Sequence, residues 1–160
     1  MQSLLSAAKQ TWSSFTKWLW LRSGRKSLHH PNSPGHPLKV LCIVREKQGV
    51  AEALALVLEQ EKCQVITVCD GCRGLELMRL EQPDVVILDE LAPGLDGFKV
   101  YTAIKADMQL SQIPLVFVES GRIPHETWKR PTKDIIRLPA GPQEILAAIE
   151  YVLNQVPNPR

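Results

Sequence analysis

From residue 38 onward the chain alternates between two hydrophobic periods. Residues 38 to 44 (LKVLCIV) are apolar apart from Lys39, and similar runs recur at 65 to 68 (VITV), 84 to 88 (DVVIL) and 114 to 118 (PLVFV). Between them, apolar residues return every three or four positions: Val50, Leu54, Val57 and Leu58 within 48 to 61, and again across 72 to 81 and 98 to 107. An unbroken apolar run is a strand buried on both faces, whereas a three-to-four recurrence is a helix with one buried stripe. A short strand at 134 to 137 and a helix at 143 to 154 complete the series, with Pro142 where the first helical turn tolerates it. Five strands alternating with helices predict an α/β fold: a parallel sheet covered on both faces, with functional groups beyond the carboxyl ends of its strands.

The front of the chain follows a different pattern. Wound at 3.6 residues per turn, residues 2 to 19 place Leu4, Leu5, Ala8, Trp12, Phe15, Trp18 and Leu19 on one side, with Lys9, Ser13, Ser6, Lys17 and Gln10 opposite. The pattern therefore predicts a basic, Trp-rich amphipathic helix over 1 to 26. Residues 27 to 37 (SLHHPNSPGHP) hold three prolines and predict a flexible linker in which His29, His30 and His36 are solvated. Residues 38 to 155 form the domain, and 156 to 160 a short tail.

Charge sharpens the division. Residues 1 to 37 carry five bases and no acid, a sum of +5, while the remainder carries 14 bases and 17 acids, a sum of −3. A helix of this kind suits an anionic bilayer surface, an apolar groove on a protein partner or membrane complex, or a cleavable organelle-targeting peptide. Aromatic anchors favour pockets, so Leu5, Trp12, Phe15, Trp18 and Leu19 are candidate contacts with a protein partner, and anionic lipid stays open. No apolar run approaches the ~18 residues of a membrane span. Without an output domain to read bases, no nucleic-acid partner is expected. The expected location is cytoplasmic or peripheral on a membrane, and organelle import stays open.

Four cysteines are present, Cys42, Cys63, Cys69 and Cys72. Cys69 and Cys72 have CxxC spacing, but no further ligand is nearby to complete a metal site, so two small residues at a strand-to-helix turn is the reading adopted. No metal or other cofactor is expected.

The segments KVLCIVRE, QPDVVILDELAPGLDGF, IPLVFVES and DIIRLPAGPQEILAAI resemble a response-regulator receiver domain over residues 38 to 155. The resemblance implies a flavodoxin-like (CheY-like) doubly wound, five-stranded parallel sheet of order 2-1-3-4-5. The connector at 121 to 133 has thirteen residues, including Pro124 and Pro131, so a shortened or missing fourth helix is expected, with Trp128 either a partner anchor or a cover for the sheet.

Carried over by position, the phosphoacceptor falls on Asp89, the metal-binding acid pair on Arg45 and Glu46, the hydroxyl on Glu119, and the lysine on Leu138 before Pro139. Ser120 could replace the hydroxyl only by a register slip, which a strand buried on both faces resists. Phosphoryl transfer to a carboxylate needs a hard cation held by acids and a cationic side chain beside the phosphoryl oxygens. Arg45, Glu119 and Leu138 each oppose that requirement. Asp89 is therefore expected to be an inert partner of the Arg45 guanidinium, in a degenerate pseudo-receiver that acts as a non-enzymatic adaptor or accessory protein. The alternative is a phosphorylatable, stand-alone response regulator of a two-component phosphorelay.

Overall fold

The computed structural model describes Leu28 and residues 35 to 46, 48 to 90, 92 to 119, 135 to 137 and 141 to 155. The amphipathic helix expected over 1 to 26, the connector with Trp128, Leu138 and the tail at 156 to 160 lie outside the described residues. Counting described elements only, the order is β1 (Lys39–Ile43), α1 (Val50–Gln60), β2 (Gln64–Val68), α2 (Gly71–Glu81), β3 (Val85–Asp89), α3 (Gly97–Ala106), β4 (Leu115–Glu119), β5 (Ile135–Arg137) and α4 (Pro142–Asn154). A 3₁₀ turn, Leu110–Gln112, precedes β4.

The first four strands form a parallel sheet in the order β2-β1-β3-β4, and the three-residue β5 pairs parallel with β4 at its far side. β3 and β4 are buried along their whole length and β1 from Val40 onward, as their unbroken apolar runs require. Alternate strand residues feed two separate cores. Val40, Cys42, Ile87 and Val116 pack beneath α1 and α4 with Leu54, Leu58 and Ile149. Leu41, Ile43, Val86, Leu88 and Phe117 pack beneath α2 and α3 with Met78, Val100 and Ile104. Tyr101 of α3 meets Phe117 edge-on at 5.5 Å. Element boundaries differ from the sequence pattern by one residue at most strand ends. Just before β3, Asp84 serves as a side-chain acceptor: its Oδ2 receives the Lys39 amide at 2.7 Å. Lys39 Nζ donates to the Glu81 carbonyl at 3.0 Å, which ties β1 to the end of α2.

The linker expectation is corrected at one residue. Leu28 is buried within the α1/α4 core, and its amide donates to Oε2 of the buried Glu61 at 3.3 Å. The composition of residues 27 to 37 is that of a free linker, but one apolar side chain among polar neighbours found a seat in the cluster that also holds Leu58 and Cys63. His36 is exposed, as expected. Replacing Leu28 by Ala is expected to lower domain stability by about 2 kcal/mol, the low end for a buried leucine because the seat lies at the core's margin. Urea midpoints measure it; an unchanged midpoint would mean that Leu28 adds nothing to the core.

Candidate functional site

The carboxyl ends of β1, β3 and β4 meet at one edge of the sheet, and three acids end there in buried positions. Asp89 closes β3 at 8 % exposure, Glu90 follows it at 2 %, and Glu119 closes β4 at 7 %. Parallel pairing sets Asp89 opposite Val118, one residue before Glu119, and the Glu90 amide donates to the Val118 carbonyl at 3.2 Å. Beyond β1, Arg45 and Glu46 are exposed.

Arg45 meets Asp89 with its backbone rather than its side chain. Its amide donates to Asp89 Oδ2 over a long 3.4 Å, while guanidinium Nη2 stands 3.9 Å from Glu46 Oε1. This corrects the expected guanidinium contact. The amide is delivered by the end of β1 without cost, whereas drawing the guanidinium inward would strip it of water, and outward it keeps both water and Glu46.

The loop after Asp89 is shaped by glycine. The Asp89 carbonyl accepts from Ala92 at 3.2 Å and the Glu90 carbonyl from Gly97 at 3.3 Å. A Cβ on Gly97 would lie 2.7 Å from the Asp89 carbonyl oxygen and 2.8 Å from Glu90 Cα, so only glycine lets α3 start this close to the strand end. Gly94 has φ +80°, and a Cβ there would strike the Asp70 carboxylate. The Gly71 amide donates to the Pro93 carbonyl at 3.0 Å, fastening the loop to the start of α2.

Asp96 caps α3 by accepting from the Lys99 amide at 2.9 Å, with Lys99 Nζ 3.2 Å away. The Lys99 amide first, and its ammonium after, hold the Asp96 carboxyl below its ordinary range. A depressed folded-state pKa stabilises above the unfolded value, and that contribution is lost as pH falls through the folded one. Asp96→Ala is therefore expected to cost about 1 kcal/mol at neutral pH, and to cost progressively less in acid. Urea unfolding at several pH values checks it, and a difference that does not shrink in acid would refute the charged-cap account.

All four cysteines are free. Burial, followed by the neighbouring Cys63, pushes the Cys42 thiol up to about 12. Burial pushes Cys63 up to about 11, with Glu61 and Asp84 adding to it. These are inert core thiols. Cys69, half-buried, packs against the α1/α4 core, and Cys72 is exposed in the first turn of α2.

A hard divalent cation at this edge would need several convergent oxygens. Among the described residues no three His, Cys, Asp or Glu side chains converge to hold a metal ion. A cation stands at position 45, and Glu46 turns toward it. The described carboxylates at this edge are the buried Asp89, Glu90 and Glu119 and the exposed Glu46.

The receiver family model, "Response regulator receiver domain", matches residues 41 to 150. The chain belongs to the response regulator receiver domain family. Protein PilH of Pseudomonas aeruginosa is 31 % identical to this receiver over 116 residues, covering 71 % of this chain and 96 % of PilH. The transcriptional regulatory protein AfsQ1 of Streptomyces coelicolor is 32 % identical over 78 residues, covering 49 % of this chain and 33 % of AfsQ1. The receiver thus spans nearly all of PilH but only a third of AfsQ1. Among solved structures, a response regulator from Chloroflexus aurantiacus superposes with a TM-score of 0.67 at 22 % identity, covering 75 % of this chain and all of that one. The receiver domain of sensor kinase PA1611 from Pseudomonas aeruginosa, with magnesium in its active-site cleft, gives 0.64 at 18 % identity, covering 75 % of this chain and 100 % of that one. These likenesses bear on fold alone: a CheY-like parallel sheet of order 2-1-3-4 with flanking helices. No described helix is long and apolar enough to cross a membrane.

Of the expected site residues, Arg45, Glu46, Asp89 and Glu119 come to one edge; Leu138, Trp128 and the candidate contacts in 1 to 26 lie outside the described residues. Sequence reasoning missed Glu90, Asp70 and Leu28. Glu90 was legible as a second acid directly after Asp89, and Asp70 as an Asp three residues before Arg73 at a helix start.

Proposed function

We propose that this receiver is a non-enzymatic adaptor or accessory protein in which Asp89 is not phosphorylated, docking outward to a protein complex or membrane surface through residues 1 to 26. The observation that carries the reading is Glu119. It is a buried carboxylate at the end of the strand next to Asp89, where an acyl phosphate would put two negative charges in place of one. Arg45 adds to this, since its backbone holds Asp89 and its side chain engages the acid that should serve a metal. By its sequence match, position 138 supplies an apolar side chain where the counter-charge is needed. Binding is then constitutive or governed by a partner rather than by phosphoryl transfer.

The test is incubation of the full chain with Mg²⁺ and acetyl phosphate, followed by intact-mass measurement. No mass increase is expected. Stoichiometric acyl phosphate that disappears in Asp89→Asn would establish the alternative, a phosphorylatable stand-alone regulator. For the tail, flotation on anionic liposomes is compared between the full chain and a version lacking residues 1 to 26; equal behaviour rules out a lipid role.

A further inference from the structure

The two helical layers of this receiver differ in charge. On the α2/α3 side, bases alternate with acids and are engaged by them: Arg73 with Glu76 at 2.6 Å, Arg79 with Asp107 at 3.2 Å, and Lys99 with Asp96 at 3.2 Å. On the α1/α4 side, neither helix contains a Lys, Arg or His, and together they carry Glu52, Glu59, Glu144 and Glu150. Glu59, Glu144 and Glu150 are exposed. Leu56, 49 % exposed, lies four residues after Glu52 and three before Glu59, so one face of α1 presents an apolar side chain between two acids.

Leu28 joins the core on this same side, and its amide sits on Glu61 where α1 ends. The stretch before it carries +5 and an aromatic face in its sequence pattern. We infer that residues 1 to 27 dock in cis on the outer face of α1 and α4, with lysines and arginines against the glutamates and an aromatic side chain over Leu56.

Three features select this occupant over a separate molecule. The charge is complementary, the apolar residue on α1 has an apolar face to receive it, and the tether has almost no length. Leu28 is fastened at the end of α1, so the preceding residues experience an effective concentration near the millimolar range, above that of most competing chains. The contact masks the aromatic face until an outside surface competes for it. This bears on where the segment rests, and it stands or falls independently of whether Asp89 accepts phosphate.

The experiment compares amide chemical shifts of the ¹⁵N-labelled full chain with those of the chain lacking residues 1 to 26, which retains Leu28. The expected result is a set of differences confined to α1 and α4, around Leu56, Glu59 and Glu150. These differences are lost in high salt and in the full chain carrying Glu59→Lys and Glu150→Lys. Unchanged core methyl shifts in that variant show that it is folded. Absence of differences, or differences on α2 and α3, overturns the inference. Differences that grow with protein concentration also overturn it, because they place the segment on a second copy. Liposome flotation is read separately, so a segment that floats but never touches α1 refutes this inference and leaves the outward-docking reading intact.

Discussion

A triple variant carrying Arg45→Asp, Glu119→Thr and Leu138→Lys is expected to gain acyl-phosphate formation on Asp89 by about a thousandfold or more over the natural chain. The three substitutions return what the chemistry lacks: an acid for the cation, a hydroxyl in place of a like charge, and an ammonium for the phosphoryl oxygens. A unit charge at about 4 Å and an effective dielectric of about 20 is worth about 4 kcal/mol, and each 1.36 kcal/mol is about tenfold in rate. One restored term therefore accounts for about three orders of magnitude before screening. The measurement is mass shift against time with Mg²⁺ and acetyl phosphate, with Asp89→Asn in the same background as the control. If the triple variant folds, by its urea midpoint, and still accepts nothing, charge balance is not what disables the site. If the natural chain already labels as fast, the adaptor reading fails at its root.

Ile87→Ala is expected to destabilise the domain by about 4 kcal/mol, the upper part of the range for deleting a fully buried branched side chain. Ile87 has no exposure, lies in β3 between β1 and β4, and belongs to the core beneath α1 and α4. Strands on both sides prevent collapse into the vacated space, so the cavity term stays large. Ile87 also lies two residues before Asp89 on the same face of the strand. Urea unfolding should show a lowered midpoint with an unchanged slope. A loss under about 1 kcal/mol would mean that the sheet repacks freely, contrary to the close-packed interior described.

The sheet was legible because burial on both faces leaves an unbroken apolar run, and β1, β3 and β4 each carry one. Asp89 was legible as a carboxylate ending such a run, and Arg45 and Glu119 as departures at matched positions. The Arg45 contact was only half legible: the pairing with Asp89 was expected, but not that a backbone amide would make it. Residue types reveal which side chains can attract one another; they do not reveal that a strand's own amide arrives first. Leu28 was illegible for a related reason. Its neighbours SLHHPNSPGHP have the composition of a free linker, and a single leucine carries no period.

By itself the sequence determined the order of elements, the two-sided burial of the central strands, and which residue types stand at positions 45, 89 and 119. These are local properties: period, length and residue identity at a matched position. Only the tertiary structure decided that Asp89, Glu90 and Glu119 are buried together at one edge and that the Arg45 side chain faces Glu46. It also decided that Leu28 is seated beside Glu61, on the acidic side of the domain. Each of these depends on which surfaces meet across long stretches of chain, and such meetings are set by packing and desolvation, which no local pattern encodes.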